Sequence, residues 1–155
     1  MLFRSGNPGP ASAGAALYSL DRADARNPRA TPDASVSEHL GVQTNNVAEY
    51  TAVVRGLELA RDLGARRVEL LLDSKLVVEQ VHGRWRVKDA RLAVLWRRVL
   101  ALLHALPDGW AADHVPRAQN TVADALCNQA LDRVAAGGPP LVVVRPDRKS
   151  TRLNS

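Results

Sequence analysis

The chain has 155 residues, which suits one domain with a single hydrophobic core. Hydrophobic residues make up 46% of it, which excludes a largely disordered chain, and a net charge of +5 favours a polyanionic partner such as nucleic acid. The single cysteine, Cys127, excludes an internal disulfide and predicts a reducing, cytoplasmic setting. No apolar run reaches membrane-spanning length, so no membrane partner is expected.

The first half of the chain alternates strands with one long helix. The letters NPGP at residues 7–10 predict a turn. An alternating strand is predicted at 15–20, and a second strand at 35–42 returns antiparallel to it. Thr44 and the asparagines after it can cap a helix that runs to Leu63. The apolar stretch at 67–72 predicts a strand that is buried on both faces and parallel to the preceding strand.

The second half is mainly helical. Its predicted elements are a short helix at 74–81, a loop at 85–89, a helix at 90–106, a strand at 110–115 and a last helix from its cap Asn120 to about Ala135. The letters GGPP at 137–140 read as a linker, which places the domain at 1–136 and a linker with a tail at 137–155. With a further strand expected before the first turn, the order predicts an α/β fold with a mixed five-stranded sheet flanked by helices.

Three carboxylates lie at the ends of these elements: Glu49, Asp73 and Asp124. Each has a simple structural explanation. Glu49 and Asp124 are predicted in the first turn of their helices, where the helix dipole stabilises a carboxylate by about 0.3–1 kcal/mol, and Asp73 could cap a helix. Taken together, they favour a site, because ligands of α/β sheets bind beyond the carboxyl ends of strands. Clustered carboxylates repel unless a cation binds between them, and oxygen ligands suit Mg²⁺ or Mn²⁺.

Four short motifs then occur in order along the chain. They are NPGP at 7–10, TNNVAEY at 44–50, DSKLVV at 73–78, and HVPR at 114–117 followed by Asn120 and ADAL at 123–126. In this order and spacing they closely resemble the type 1 ribonuclease H family, whose domain is also reverse-transcriptase-like, in its compact bacterial and archaeal branch. The resemblance covers roughly residues 1–135. It implies endonucleolytic hydrolysis of the RNA strand of RNA–DNA hybrids, leaving a 5′ phosphate and a 3′ hydroxyl.

The resemblance also implies a metal site and its catalytic residues. Members of the family hold two Mg²⁺ ions with four carboxylates, and Glu49, Asp73 and Asp124 match three of these. The metals activate a water molecule and stabilise the leaving 3′ oxygen, with no small-molecule cofactor. His114 matches a loop histidine that assists proton transfer or product release, although a single histidine at a strand end is otherwise unremarkable.

Residues that contact the hybrid are also implied. Asn7, Thr44, Asn45 and Asn46 match residues that line the minor groove, and amides and hydroxyls suit the 2′-hydroxyl, which both donates and accepts. Their simpler role is turn formation and capping. Further contacts are expected from Ser74, Lys75, Trp85, Arg86, Lys88 and Arg117. Trp85 fits a packed surface aromatic equally well. The chain lacks the basic, Trp-rich insertion of some members, so modest and salt-sensitive affinity is expected.

The chain departs from the family at its start. The family's first catalytic Asp stands nine residues before the Asn of the turn, but no Asp or Glu precedes Asp21 here. We therefore expect a truncated or replaced first strand, a missing fourth carboxylate and impaired cleavage. Residues 1–5 and 148–155 resemble translated sequencing-adapter sequence and are expected to be non-native.

Two other functions remain open from the sequence. One is a non-catalytic module that binds hybrids or double-stranded nucleic acid. The other is a related polynucleotidyl-transferase-fold nuclease, such as a junction resolvase. Some family members carry a second, phosphatase-like domain after a comparable linker, so a longer parent protein is also expected.

Overall fold

The structure, a computed structural model, describes residues 9–146. The predicted turn therefore begins outside the described residues, and so do the two ends expected to be non-native. No helix between residues 9 and 146 is both long and apolar enough to cross a membrane. In chain order the elements are β1 (Gly9–Leu17), β2 (Ala34–Gln43), α1 (Asn45–Asp62), β3 (Val68–Leu72), α2 (Lys75–Val81), α3 (Ala90–His104), β4 (Trp110–His114), α4 (Thr121–Ala135) and β5 (Leu141–Val144).

The strands form two sheets within this range. β1 and β2 pair antiparallel, as predicted, and β5 pairs antiparallel with the other edge of β2. β3 and β4 form a separate parallel pair. The predicted parallel pairing of β2 with β3 is therefore wrong for the described residues. β1 and β5 already occupy both edges of β2, so α1 carries the chain from one sheet to the other.

β1 lies between two helices, and its small residues make this possible. Ser12 Oγ donates a hydrogen bond to the Cys127 carbonyl of α4 at 2.9 Å. At Gly14 a Cβ would lie 2.5 Å from the Ala123 carbonyl oxygen, so only glycine fits under α4. Ala15 contacts Gly56 of α1 on the opposite face. The strand begins earlier than the predicted residue 15 because these small residues give no hydrophobic alternation.

A hydrophobic core joins α1, α2 and α3. Tyr50, Val77, Val99 and Leu103 are fully buried within it. The Tyr50 hydroxyl donates to Oε1 of Gln80 at 2.7 Å, which satisfies the buried phenol and links α1 to α2. This packing fixes the start of α1 relative to the start of α2.

Three further predictions differ from the structure. The sheet extends to Val144, beyond the predicted boundary at 136, because four residues are too few to show a strand period. Arg133 holds the GGPP segment by donating to the carbonyl oxygens of Ser37 and Pro140.

Asn120 occupies the N-cap position of α4, but its side chain makes no capping hydrogen bond. β3 is only half-buried, since one of its edges lines a cavity.

Candidate active site

Glu49 and Asp73 come together where β3 ends. Asp73 directly follows the last residue of β3, at the carboxyl edge of the sheet. Thr44 caps α1 by accepting the amide of Val47 at 3.3 Å, and Glu49 lies one turn into that helix. The prediction placed Glu49 in the first turn, but α1 begins at Asn45 and its first turn has no acidic residue.

Ser74 connects these two carboxylates to α2. Its Oγ accepts the amide of Val77 at 3.3 Å and so caps α2. Asp73 is therefore not the cap, which removes the simplest structural explanation for it. Ser74 also hydrogen-bonds the Glu49 side chain. The sequence predicted Ser74 as a nucleic-acid contact and gave no sign that it positions Glu49.

The electrostatics of the pair favour a cation. Burial, and to a smaller degree the charge of Asp73, raises the pKa of Glu49, while the Ser74 hydrogen bond acts in the opposite direction. A raised carboxyl pKa means that the folded chain disfavours the charged form of Glu49, chiefly because the carboxyl is buried. A divalent cation between the two groups would remove that penalty.

His114 lies beside Asp73 because β3 and β4 are parallel. Leu72 and His114 occupy matching positions of the two strands. Nε2 of His114 is 3.3 Å from the Asp73 carbonyl oxygen, and the side chain is exposed. An exposed imidazole at this edge can exchange protons with a bound substrate or with solvent.

Asp124 is held by an arginine. It lies in the first turn of α4, as predicted, and its Oδ2 accepts a hydrogen bond from Nε of Arg117 at 3.1 Å. Arg117 belongs to a short 3₁₀ turn at 117–119 and was predicted as a nucleic-acid contact. Nothing in the sequence indicated this ion pair. Across residues 9–146, no group of three or more His, Cys, Asp or Glu side chains is placed to hold a metal ion.

The residues present therefore fit a metal ion in part. Glu49 and Asp73 supply hard oxygen donors of the kind that Mg²⁺ prefers, in a setting that disfavours two adjacent negative charges. This donor set suits a divalent cation. The described residues do not assemble a full set of carboxylates for two metals, since Asp124 is engaged by Arg117.

The predicted minor-groove residues surround the start of α1. Thr44, Asn45 and Asn46 are half-buried there, next to the turn that holds Glu49. Thr44 keeps its capping role, so a contact with nucleic acid would add to that role. Asn7 lies outside the described residues.

The predicted basic surface lies on α2 and the loop after it. Lys75 Nζ lies 6.0 Å from the centre of the Trp85 ring, within range of a cation–π interaction. Trp85 is 44% exposed, so part of its ring is accessible to a stacking partner. Arg86 and Lys88 are exposed beside it. The loop is anchored by Gln80, whose Nε2 donates to the Arg86 carbonyl at 3.1 Å.

Comparison with known proteins identifies the family and the fold of this chain. A family model described as "Reverse transcriptase-like" matches residues 20–130. Ribonuclease HI of Halobacterium salinarum is 42% identical over 127 residues, which cover 82% of this chain and 59% of that protein. The crystal structure of RNase H1 from this archaeon superposes with a TM-score of 0.73 and covers 84% of this chain and 92% of the other. The fold is thus that of the ribonucleases H. The chain belongs to the reverse transcriptase-like, type 1 ribonuclease H family.

Two further similarities bear on substrate and length. The crystal structure of LC11-RNase H1 in complex with an RNA/DNA hybrid has a TM-score of 0.71 at 30% identity, covering 86% of this chain and 94% of that one. The "Bifunctional protein Rv2228c" of Mycobacterium tuberculosis is 43% identical over 133 residues, which are 84% of this chain. This chain spans about a third of that relative's length, 34%, and 59% of the halobacterial one.

Proposed function

We propose that this domain hydrolyses the RNA strand of RNA–DNA hybrids. The observation that supports this most strongly is the partly buried Glu49 beside Asp73 at the carboxyl edge of β3, in a chain of the ribonuclease H family. The similar LC11 enzyme was crystallised with an RNA/DNA hybrid, which supports the same substrate class here.

In this proposal the carboxylates hold divalent metal, Mg²⁺ or Mn²⁺. Glu49 and Asp73 are the primary ligands, and Asp124 joins them once its pairing with Arg117 opens. Bound metal would supply an activated water and stabilise negative charge on the leaving oxygen. Ser74 orients Glu49 through its hydrogen bond. His114 transfers a proton at its exposed ring, beside Asp73.

The polar and basic side chains bind the substrate. Thr44, Asn45 and Asn46 contact 2′-hydroxyl groups of the RNA strand, together with Asn7. Lys75, Trp85, Arg86 and Lys88 bind the other strand through phosphate contacts and stacking. Because the described carboxylates form a pair and not a full cluster, we expect slow turnover.

The ion pair between Arg117 and Asp124 favours a second candidate function. If Asp124 stays with Arg117, the domain binds hybrids without cutting them. Binding would then be salt-dependent and independent of divalent metal. The two functions differ in one measurable property, which is metal-dependent cleavage.

We also propose a setting for the domain. The mycobacterial relative is much longer than this chain, which supports a role within a larger polypeptide. The division into a domain at 1–136 and a linker with a tail at 137–155 stays a prediction, although β5 belongs to the sheet. Cys127, the single cysteine of the sequence, is buried, which is consistent with a cytoplasmic location.

The test is cleavage of an RNA–DNA hybrid labelled at the 5′ end of the RNA, with Mg²⁺ and separately with Mn²⁺. The chain is compared with Asp73→Asn and with the control Asp113→Asn, an exposed residue of β4 just before His114. We expect cleavage by the chain and the control, and none by Asp73→Asn. Metal-independent binding without cleavage would support the binding module. Preferential cutting of branched DNA would contradict both candidates.

A further inference from the structure

Gln80 is a polar residue buried where three helices and a loop meet. It lies in α2 and is only 4% exposed. Its main-chain carbonyl accepts a hydrogen bond from Nε1 of Trp96 in α3 at 2.9 Å and from the Gly83 amide at 3.0 Å. Its side chain bonds Tyr50 of α1 and the main chain of Arg86. One residue thus joins α1, α2, α3 and the loop at 82–89 between α2 and α3.

The two side-chain hydrogen bonds fix the orientation of the Gln80 amide. The Arg86 carbonyl oxygen can only accept, so Nε2 points at it over 3.1 Å. Oε1 then accepts from the Tyr50 hydroxyl over 2.7 Å. Tyr50 is fully buried, and burial raises the pKa of its hydroxyl, so the phenol keeps its proton and stays a donor. An ionised glutamate at position 80 would present an acceptor to the Arg86 carbonyl, and a methionine would present neither group.

Both partners of this amide adjoin residues of the proposed site. Tyr50 directly follows Glu49 in α1, and Arg86 directly follows Trp85 in the loop. Two hydrogen bonds through Gln80 therefore join the residue next to a carboxylate of the active site to the residue next to the proposed stacking ring. The proposed substrate surface is in this way tied to the helix that carries Glu49.

The bond from Gln80 holds the middle of the loop. Backbone hydrogen bonds to the Glu79 carbonyl close the end of α2, and the Asp89 side chain caps α3. Between these ends, Nε2 of Gln80 holds Arg86, and the next residue, Val87, packs against the helical core. Without the bond to Arg86, the exposed side chains of the loop would sample more orientations. Ordering them on a bound substrate would then cost affinity.

We propose that Gln80 is a positioning residue for hybrid binding, which holds the loop so that Trp85, Arg86 and Lys88 are presented together to one strand of the substrate. Gln80 is buried and acts only through the loop, so it needs no contact with nucleic acid. The inference rests on the proposed function and deepens it, because it identifies what keeps the substrate surface in place relative to the carboxylates.

Two variants separate positioning from stability. Gln80→Met keeps the length of the side chain but removes its donor and its acceptor. It also leaves the buried Tyr50 hydroxyl without its partner, which lowers the melting temperature. Adding Tyr50→Phe removes that hydroxyl too, and loss of both partners of a buried hydrogen bond is nearly neutral. The double variant should therefore recover most of the melting temperature while the loop stays released.

Trp96→Phe is the matched control. It removes a different hydrogen bond of Gln80, the one from the indole to the main-chain carbonyl, and that carbonyl still accepts from the Gly83 amide. The variant should melt at a lower temperature than the unmodified chain because α3 loses a bond to α2. Its loop keeps the bond between Gln80 and Arg86.

Hybrid affinity is measured by anisotropy with labelled RNA–DNA hybrid, without divalent metal and well below every melting temperature. Gln80→Met and the double variant should both bind roughly three- to tenfold more weakly, which corresponds to one lost hydrogen bond. Trp96→Phe should bind as tightly as the unmodified chain. An affinity that follows the melting temperature across all the variants would give Gln80 a structural role alone and overturn the proposal.

Trypsin tests the loop without nucleic acid. Arg84, Arg86 and Lys88 offer it cleavage sites within the loop. Cleavage there should be about three- to tenfold faster in both variants that carry Gln80→Met, because proteolysis follows the population of the open segment. Unchanged cleavage of the loop would overturn the proposal even if affinity fell. Faster cleavage together with no hybrid binding by the unmodified chain would contradict the proposed function and leave the anchoring of the loop by Gln80 supported.

Discussion

Nε of Arg117 lies 3.1 Å from Oδ2 of Asp124, so an arginine of the 3₁₀ turn engages a carboxylate predicted to bind metal. The Asp124 side chain is 19% exposed and that of Arg117 is 49% exposed. An ion pair this accessible contributes little to stability. Its main consequence is competition, because the guanidinium offsets the charge of the carboxylate and repels a metal ion placed beside it.

Replacing the arginine tests this competition. In Arg117→Gln the carboxylate of Asp124 is released from its cation, so Mg²⁺ should bind more tightly, by a few-fold. Binding of the hybrid should weaken at the same time, since one positive charge near the phosphates is lost. Calorimetric titration with Mg²⁺ and anisotropy with labelled hybrid measure the two effects.

Arg97→Gln serves as the control, because Arg97 is an exposed arginine of α3. It should leave the Mg²⁺ affinity unchanged. If Arg117→Gln also leaves it unchanged, Asp124 takes no part in metal binding.

Glu49→Gln should separate stability from metal binding. The folded pKa of Glu49 is raised by burial and by Asp73, so the folded chain favours its protonated form. This carboxyl therefore favours folding most below its unfolded pKa of about 4.3, and that stability is lost as pH rises through the raised folded pKa. A neutral glutamine should raise the melting temperature at pH 7–8 without metal. Added Mg²⁺ should stabilise the unmodified chain but not this variant.

Glu79→Gln is the opposite case. The Arg84 guanidinium holds the pKa of Glu79 below its usual value, so the charged form is favoured in the folded chain. Glu79→Gln should therefore lower the melting temperature at neutral pH. Added Mg²⁺ should stabilise this variant as much as it stabilises the unmodified chain. Equal shifts in both variants would refute the electrostatic account of Glu49.

Trp85 and Lys75 should contribute to affinity for the hybrid. Stacking of a base on an aromatic ring is worth about 1–3 kcal/mol, so Trp85→Ala should weaken binding by about tenfold. Lys75→Gln should weaken binding and lower the slope of log affinity against log salt by about one, if Lys75 meets one phosphate. Arg66→Gln removes a charge at the opposite end of β3 and should change neither quantity. An unchanged salt slope for Lys75→Gln would place this surface outside the substrate path.

The sequence predicted those parts of the site that depend on local order. Asp73 follows an apolar strand, Glu49 follows a capping turn, and His114 ends the last predicted strand. Each position follows from the boundary of one element, and boundaries of apolar strands and capped helices have clear signals. The pairing of parallel strands then brings His114 next to Asp73.

Features that depend on how separate elements pack could not be predicted. The Arg117–Asp124 pair depends on the angle between a short 3₁₀ turn and α4, which no periodicity encodes. The partners of β2 depend on β5, a four-residue strand that read as part of a tail. The early start of β1 could not be predicted, because its residues are small enough to fit between two helices and show no hydrophobic alternation.

Gly14 gives the most direct test of this packing. A methyl group there would lie 2.5 Å from the Ala123 carbonyl oxygen and 2.9 Å from Cβ of Leu126. Backbone atoms of α4 cannot move aside as the end of a flexible side chain can. Gly14→Ala should therefore cost about 3 kcal/mol, at the upper end for overpacking, and lower the melting temperature by about 6–12 °C.

Gly56→Ala is its matched control on the other face of β1. There the new methyl group would lie 3.3 Å from Cβ of Ala15, which requires a shift of only a few tenths of an ångström. Alanine in the middle of a helix also gains up to about 1 kcal/mol over glycine, which offsets that strain. Thermal melts of the two variants should therefore differ strongly, with Gly14→Ala much the less stable. Similar melting temperatures would show that α4 does not lie against β1 as closely as the structure has it, and Asp124 would then lose its defined position relative to Glu49 and Asp73.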